Sequence, residues 1–469
     1  MLKYISKKKV GFKKFILMLG DVAIIIFGIC VFFAFRRHLS NEKLMFTDTI
    51  SISFFKSASI MSPITYIFVF YIADIYNFQG KFLSIRFLTR LAVSIVVANS
   101  IAFAGIYVLG LWEYSRIVLL LNAVFIYTFV FLWRLLYEKT FQGRNVPHRI
   151  LVIGAGCTGR ALNNIMDGNK NFKIVGYLDD DEEKRGGTIG SSTVLGTTSL
   201  LPSVVKEKSV DEVVVAITHG TSPNLFKRIM NEKFNGIEIC DMPSFYEDIT
   251  DKIPIYHISD SWLGYADFYG IRKNIYNTKI KGLLDKLIAI FGVVSAIPLM
   301  LVTIIAIKID SRGSIFFKQE RVGENAKIFI ALKLRTMDCD KESESALAGY
   351  KNDPRVTRVG KILRFFRIDE IPQLWNVIRG DMSIIGPRLL IKEEVKVFSE
   401  KVPYFYLRHS VKPGITGWAQ VHYKHGKKIE DAREKLQYDL FYIKNLSPVL
   451  DLHILLKTVK VVLFGRGAR

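Results

Sequence analysis

Cysteine is scarce: Cys30, Cys157, Cys240 and Cys339 stand far apart in a chain of 469 residues. No CxxC spacing joins any two of them and no histidine pair lies beside them, which excludes a zinc-ligand set and a disulfide framework. Acidic residues are also short relative to basic ones, 43 against 65, leaving a formal charge of +22. An imbalance of that sign suits nucleic acid, an anionic membrane surface or anionic substrates. What is abundant decides among them. Half of the residues are hydrophobic, too many for a soluble chain of this length, so part of the protein belongs in lipid and nucleic acid is not an expected partner.

A basic tail, MLKYISKKKVGFKK, precedes an apolar run from Phe15 to Phe35. The run is too long for a signal-peptide core and lacks a small-residue cleavage pattern, which predicts a retained transmembrane helix. Further spans are predicted near 58–76, 91–112 and 117–136, giving a four-helix transmembrane block over residues 1–140. The richly basic segments are the tail, the loop with Lys81, Arg86 and Arg90, and the exit with Arg134, Lys139, Arg144 and Arg149. They alternate so that both ends of the block face the cytoplasm. Asp21 and Asp74 lie within or at the ends of spans, where placement at the interface is expected.

At Arg149 the pattern becomes RILVIGAGCTGR, an apolar strand followed by Gly154, Gly156 and Gly159 in GxGxxG spacing. Asp179 ends a second strand, FKIVGYLDDD, where a ribose-binding acid would stand, and DEVVVAI supplies a third strand. The region 147–262 is predicted to be a Rossmann-like parallel α/β domain. NAD or another nucleotide is a candidate ligand there but is not expected, because a tight strand-to-helix turn explains the glycines equally well.

The chain then returns to apolar sequence at 287–307, LIAIFGVVSAIPLMLVTIIAI, with Lys281 and Lys286 before it and Lys308 after it. Basic residues on both flanks place both ends in the cytoplasm, and Pro298 supplies a break. The expectation is a re-entrant, kinked helix over about 283–308, with a fifth crossing as the alternative.

The last region, 278–469, is the catalytic candidate, mainly α. RFFRIDEIPQLWNVIRGDMSIIGPR sets Asp369 and Glu370 behind Arg364 and Arg367 and ends at Gly386, Pro387 and Arg388. Ile371, Leu374, Trp375 and Ile378 then recur at helical spacing, which puts the acidic pair just ahead of a helix with Pro372 in its first turn. Arg321, Lys333, Arg335, Arg355, Arg358 and Lys361 add positive charge nearby in sequence. Acids among fixed cations suit a diphosphate and a metal ion.

FFKQERVG, KLRTM, RVGKILRFFRIDEIPQLWNVIRGDMSIIGPR and KPGITGWAQV together resemble the bacterial sugar transferases, the polyprenyl-phosphate hexose-1-phosphate transferases, and the whole chain resembles their large members. The resemblance implies transfer of a sugar 1-phosphate from a nucleoside diphosphate sugar, usually a UDP-sugar, onto undecaprenyl phosphate with release of UMP, an early membrane step of exopolysaccharide synthesis. It implies Asp369 as nucleophile, Glu370 as Mg2+ ligand or partner of Asp369, and Lys333, Arg335, Arg364, Arg388 and Lys412 as phosphate-binding residues. It implies location at the bacterial inner membrane among its lipids, with the catalytic domain on the cytoplasmic face, and a homodimer as the oligomer to test. Leu389 and Ser314 stand where the family commonly has proline, and Lys412 where some relatives have arginine. The alternatives are a membrane-anchored NAD-dependent nucleotide-sugar dehydratase or epimerase, and a non-catalytic scaffold.

Overall fold

A computed structural model describes residues 15–31, 34, 49–73, 75–76, 85–108, 116–141, 147–169, 171–217, 222–338, 355–423 and 429–463. They form a mixed α/β protein, mostly helical, in two compact units: one is Met1–His148 with Lys170–Lys173, the other Arg149–Asn169 with Ile174–Arg469.

The first unit holds α1 (Phe15–Val31), α2 (Thr49–Ile72), α3 (Ile85–Val108) and α4 (Arg116–Phe141). Leu17, Ile25, Tyr66, Phe70, Leu91, Ile95, Ile126 and Val130 form its interior. Leu19, Ile60, Ile64, Val93, Val96, Leu120 and Val124 point outward, as helices in lipid require. Helices therefore occur at all four expected places, and the stretch Leu120–Thr140 is long and apolar enough to cross a membrane. Asp21 is wholly buried between helices, accepting from Arg134 Nη1 at 3.0 Å and Nη2 at 2.6 Å. A carboxylate in an apolar bundle needs such a bidentate partner. Asp74 lies outside the described residues.

The second unit begins with a six-stranded sheet in the order β3-β4-β2-β1-β5-β6. Its strands are β1 (His148–Ile153), β2 (Phe172–Leu178), β3 (Thr188–Ile189), β4 (Ser192–Gly196), β5 (Glu212–Val215) and β6 (Glu238–Asp241). β1 with β5, β5 with β6 and β2 with β4 are parallel, and β3 turns back on β4 as a short hairpin. Helices α5 (Cys157–Met166), α6 (Leu201–Glu207) and α7 (Pro223–Phe234) lie between its strands, and α8 (Met242–Thr250) follows β6. Gly154 sits at φ 107°, and a Cβ on Gly159 would strike the Gly154 carbonyl oxygen, so these glycines allow the strand-to-helix turn and the close approach of α5.

After α8 the chain passes α9 (Asp260–Tyr265) and reaches α10 (Lys281–Asp310), then the antiparallel hairpin β7 (Phe316–Val322) and β8 (Ile328–Leu334). Next come α11 (Arg358–Phe365), α12 (Gln373–Arg379), β9 (Ser383–Ile385), α13 (Lys392–Lys401), β10 (Gly414–Thr416), α14 (Trp418–His422), α15 (Ile429–Asn445) and α16 (Pro448–Leu463). β9 and β10 pair in parallel. Val377, Met382, Phe405, Trp418, Leu440, Phe441 and Tyr442 form this core, and Ile253, Ile255 and Ile258 join it. The segment following α8 thus packs into the C-terminal core, while Trp262 Nε1 donates to Asp241 of β6 at 2.9 Å.

Helix α10 lies within a stretch, Tyr276–Asp310, that is also long and apolar enough to cross a membrane. It stays helical through Pro298. Asp285, Ala289, Thr303 and Ile307 form one buried stripe, while Leu287, Phe291, Val294, Leu301, Val302 and Ile305 are exposed. Near its start, Asp285 accepts from the Ser383 hydroxyl at 2.7 Å and from Ile384 N–H at 3.3 Å. At its end, Asp310 accepts from Val359 N–H at 2.9 Å, and Ile307 packs with Leu334 and Leu363. Both ends of the helix are fastened to the same folded region. With two such helices and broad apolar surfaces, the chain is a membrane protein.

Candidate active site

The acidic pair is set by a reversal of the chain. Thr357 caps α11 by accepting from Gly360 N–H at 2.9 Å, a satisfied helix start. The helix ends at Phe366, Arg367 takes a left-handed conformation at φ 55°, and Ile368–Glu370 form a single 3-10 turn before Pro372 and α12. Asp369 and Glu370 therefore stand just ahead of α12, where the helical spacing predicts them.

Three cations converge on Glu370. Lys333 Nζ, from the end of β8, and Arg388 Nη2, from the turn after β9, each lie 3.5 Å from Oε1. Arg367 Nη1 lies 3.7 Å from Oε2. Burial pushes the Glu370 carboxyl up, but Arg388, Lys333 and Arg367 together outweigh it and hold it below the ordinary range. Asp369 moves the other way. Burial raises its carboxyl, with Glu370 adding to the rise and Lys333 and Arg364 opposing it. Adjacent carboxyls driven in opposite directions suit different roles. Glu370 is a fixed anion, and Asp369 is a more basic carboxylate able to act as a nucleophile.

Arg364 belongs to this setting: its charge acts on Asp369, and its Nε donates to Thr336 Oγ1 at 2.9 Å. Two expected residues are not brought to the pair. Arg335 follows the last residue of β8, and its Nη2 donates to the Ser311 carbonyl at 2.7 Å and hydroxyl at 3.0 Å, tying down the end of α10. Lys412 places its ammonium beside Gly380 at the C-terminus of α12, where the helix dipole favours a cation. Arg321, on β7, is an addition to the set. Burial lowers its pKa; Glu394 opposes that most, Arg388 adds to it, and Glu370 also opposes it. The sequence placed Arg321 among the cations, and the bridge between Val322 at the end of β7 and Leu390 brings it near Arg388.

The glycine loop of the first sheet is closed on itself. Asp179 accepts from Ala155 N–H at 2.7 Å, within the loop, and from Lys184 Nζ at 3.4 Å. It caps the turn from inside, with Gly154, Gly156 and Gly159 around it.

A divalent cation fits the Asp369–Glu370 turn on chemical grounds. Both side chains offer hard oxygen donors, and the contacts of Glu370 with Lys333 and Arg388 are longer than a charge-assisted hydrogen bond of about 2.7–2.9 Å.

The profile described as "Bacterial sugar transferase" matches residues 276–465, and one described as "CoA-binding domain" matches 72–234. The chain is 40% identical over 233 residues to a UDP-N-acetylgalactosamine-undecaprenyl-phosphate N-acetylgalactosaminephosphotransferase of Aeromonas hydrophila, covering 50% of this chain and 54% of that protein. It is 28% identical over 345 residues to a UDP-glucose:undecaprenyl-phosphate glucose-1-phosphate transferase of Xanthomonas campestris pv. campestris, covering 70% and 69% of the two chains. To the protein of the same description from Caulobacter vibrioides it is 39% identical over 195 residues, covering 41% and 70%. The chain thus spans about half the length of the Aeromonas relative and two thirds or more of the other two. A buried acidic pair ringed by cations lies on a region fastened to an apolar helix, and this chain belongs to the bacterial sugar transferase family.

Proposed function

We infer that the protein transfers a sugar 1-phosphate from a UDP-sugar to undecaprenyl phosphate. The observation that carries this reading is geometric: Asp369 is buried beside Glu370, on which Lys333, Arg388 and Arg367 converge within 3.5–3.7 Å. An Asp369 oxygen attacks the phosphorus that bears the sugar, the bond from that phosphorus to the bridging oxygen breaks, and UMP leaves with the electron pair. A phosphate oxygen of undecaprenyl phosphate then attacks the same phosphorus, restoring the Asp369 carboxylate and forming the lipid diphosphate sugar. Both steps bring an anionic nucleophile onto an anionic phosphoryl group, and the fixed cations around the pair offset that repulsion.

Lys333 and Arg388 hold Glu370 and reach toward the donor phosphates, with Arg364 on the Asp369 side. Asp369 and Glu370 would hold Mg2+, which when bound neutralises charge on phosphate oxygens. Arg335 and Lys412 serve the scaffold in this reading.

The four front helices form a transmembrane block, and α10 re-enters the leaflet it leaves. Attachment of both its ends to one folded region supports this, because a crossing would separate them by a bilayer. The catalytic region then lies on the cytoplasmic face of the inner membrane, at the headgroup plane where a soluble nucleotide sugar meets a lipid phosphate. The proposed division is 1–140, 147–262 and 278–469, with the stretch around Ile253–Ile258 packing into the core of the last region, and a homodimer is the oligomer to test. The engagement of Asp179 with Ala155 favours a structural glycine loop over an NAD site.

UMP release from a panel of UDP-sugars by membrane-embedded protein, with and without undecaprenyl phosphate, tests the reading. Acceptor-dependent turnover with one sugar, lost in Asp369→Asn, is the expected result. Silence with every nucleotide donor, from folded protein supplied with magnesium, overturns it.

A further inference from the structure

Behind Arg388 lies a second pair of charges that the transfer does not use directly. Arg408, in the 3-10 helix Phe405–Ser410, is 5% exposed, and Asp439, on α15, is 2% exposed. Arg408 Nη2 stands 2.9 Å from Asp439 Oδ2 and also donates to the Arg388 carbonyl oxygen at 2.9 Å. The guanidinium carbon lies 5.1 Å from the centre of the Phe405 ring. One nitrogen thus faces the Asp439 carboxylate as an ion pair and donates its hydrogen bond to the main chain of the arginine whose side chain approaches Glu370.

A pair buried this deeply contributes little to stability, since desolvating two charges costs about as much as their attraction returns, and an apolar pair of similar volume often does better. Burial pushes the Asp439 carboxyl up to about 6 against the pull of Arg408 and Lys435, which shows how heavily desolvation weighs here. What an arginine provides and an apolar side chain does not is a directed donor to the Arg388 carbonyl. That carbonyl shares its Cα with the side chain that reaches Glu370, so fixing it fixes the base of the Arg388 fork. A bridge from Arg388 to Gly414 holds the same segment from another side.

We propose that Arg408 and Asp439 are positioning residues of the transferase: Asp439 orients the Arg408 guanidinium, and Arg408 fixes Arg388 for its contact with Glu370 and the donor phosphates. The proposal rests on the transferase reading above and deepens it.

The test is a double-mutant cycle on the full chain in nanodiscs, following UMP release with undecaprenyl phosphate present. Arg408→Met and Asp439→Asn should each lower kcat/KM about tenfold or more, and Arg408→Lys, which keeps one donor, should recover part of the loss. In an Arg388→Ala background the same substitutions should change kcat/KM by no more than about twofold, because their effect passes through Arg388. Equal losses in both backgrounds overturn the proposal, since a general packing defect acts whatever residue stands at 388. If Arg408→Met does not fold, Asp439→Asn and Arg408→Lys complete the cycle. A wild type that transfers while the cycle is additive sinks the positioning role alone. A wild type silent with every donor sinks the transferase reading, and this proposal with it.

Discussion

Arg388 Nη2 stops 3.5 Å from Glu370 Oε1, beyond the usual length of a charge-assisted hydrogen bond. The arginine is held near the carboxylate without being fully engaged by it, which leaves guanidinium donors for a substrate phosphate. Arg388→Ala is therefore expected to lower kcat/KM for the nucleotide sugar about a hundredfold, the scale seen when one preorganised donor to developing charge is removed. Arg388→Lys should recover only part of this, because an ammonium lacks the bidentate fork. Steady-state kinetics on purified protein decide it, and a loss below threefold in the alanine variant removes Arg388 from the site.

The opposed shifts of the acidic pair fix the sign of a pH effect. Burial, with Glu370, raises the Asp369 carboxyl, and the nucleophile must be ionised to attack. Activity should fall with decreasing pH through a value above the ordinary carboxylate range of about 3.9. Glu370, held low by Arg388, Lys333 and Arg367, stays ionised across that window and does not set it. A pH profile of kcat/KM that remains flat to about pH 4 contradicts the assignment.

Helix α10 is pinned by Asp285, which accepts from Ser383 and Ile384. Asp285→Ala leaves the Ile384 N–H without that acceptor in a buried setting, and should destabilise the C-terminal region by about 1–3 kcal/mol. Thermal unfolding in detergent, read by limited proteolysis within 278–469, measures this.

In the front unit, Asp21→Leu strands Arg134 as a buried charge and should cost about 3–5 kcal/mol. Adding Arg134→Met should return most of that stability, since an apolar pair replaces an ion pair there at little cost. Failure of the double variant to recover means that the pair does more than balance its own burial.

The sequence made the large divisions visible because each has its own period. Long apolar runs marked the helices, short continuous apolar runs marked β1, β2 and β5, and i, i+3, i+4 spacing after Glu370 marked α12. It was silent where structure depends on long-range pairing. The hairpin of β3 with β4 is too short to leave a pattern. The Asp21–Arg134 pair left no local signal, because Arg134 is distant in sequence and was counted as a loop cation. Charge density grouped Lys333 with Arg335, yet one reaches Glu370 and the other binds Ser311, since the strand ends between them. Arg408 and Asp439 carry no local signal at all, and their pairing exists only in the fold.

The most direct measurement is a single-turnover experiment on membrane-embedded protein with the UDP-sugar it uses and no undecaprenyl phosphate. The account predicts a burst of UMP of about one equivalent per active chain, together with a sugar-phosphate adduct on Asp369 by intact and peptide mass, both absent in Asp369→Asn. UMP that appears only when the lipid acceptor is added, with no adduct at any time in protein that turns over normally, would contradict it and make the transfer a single displacement.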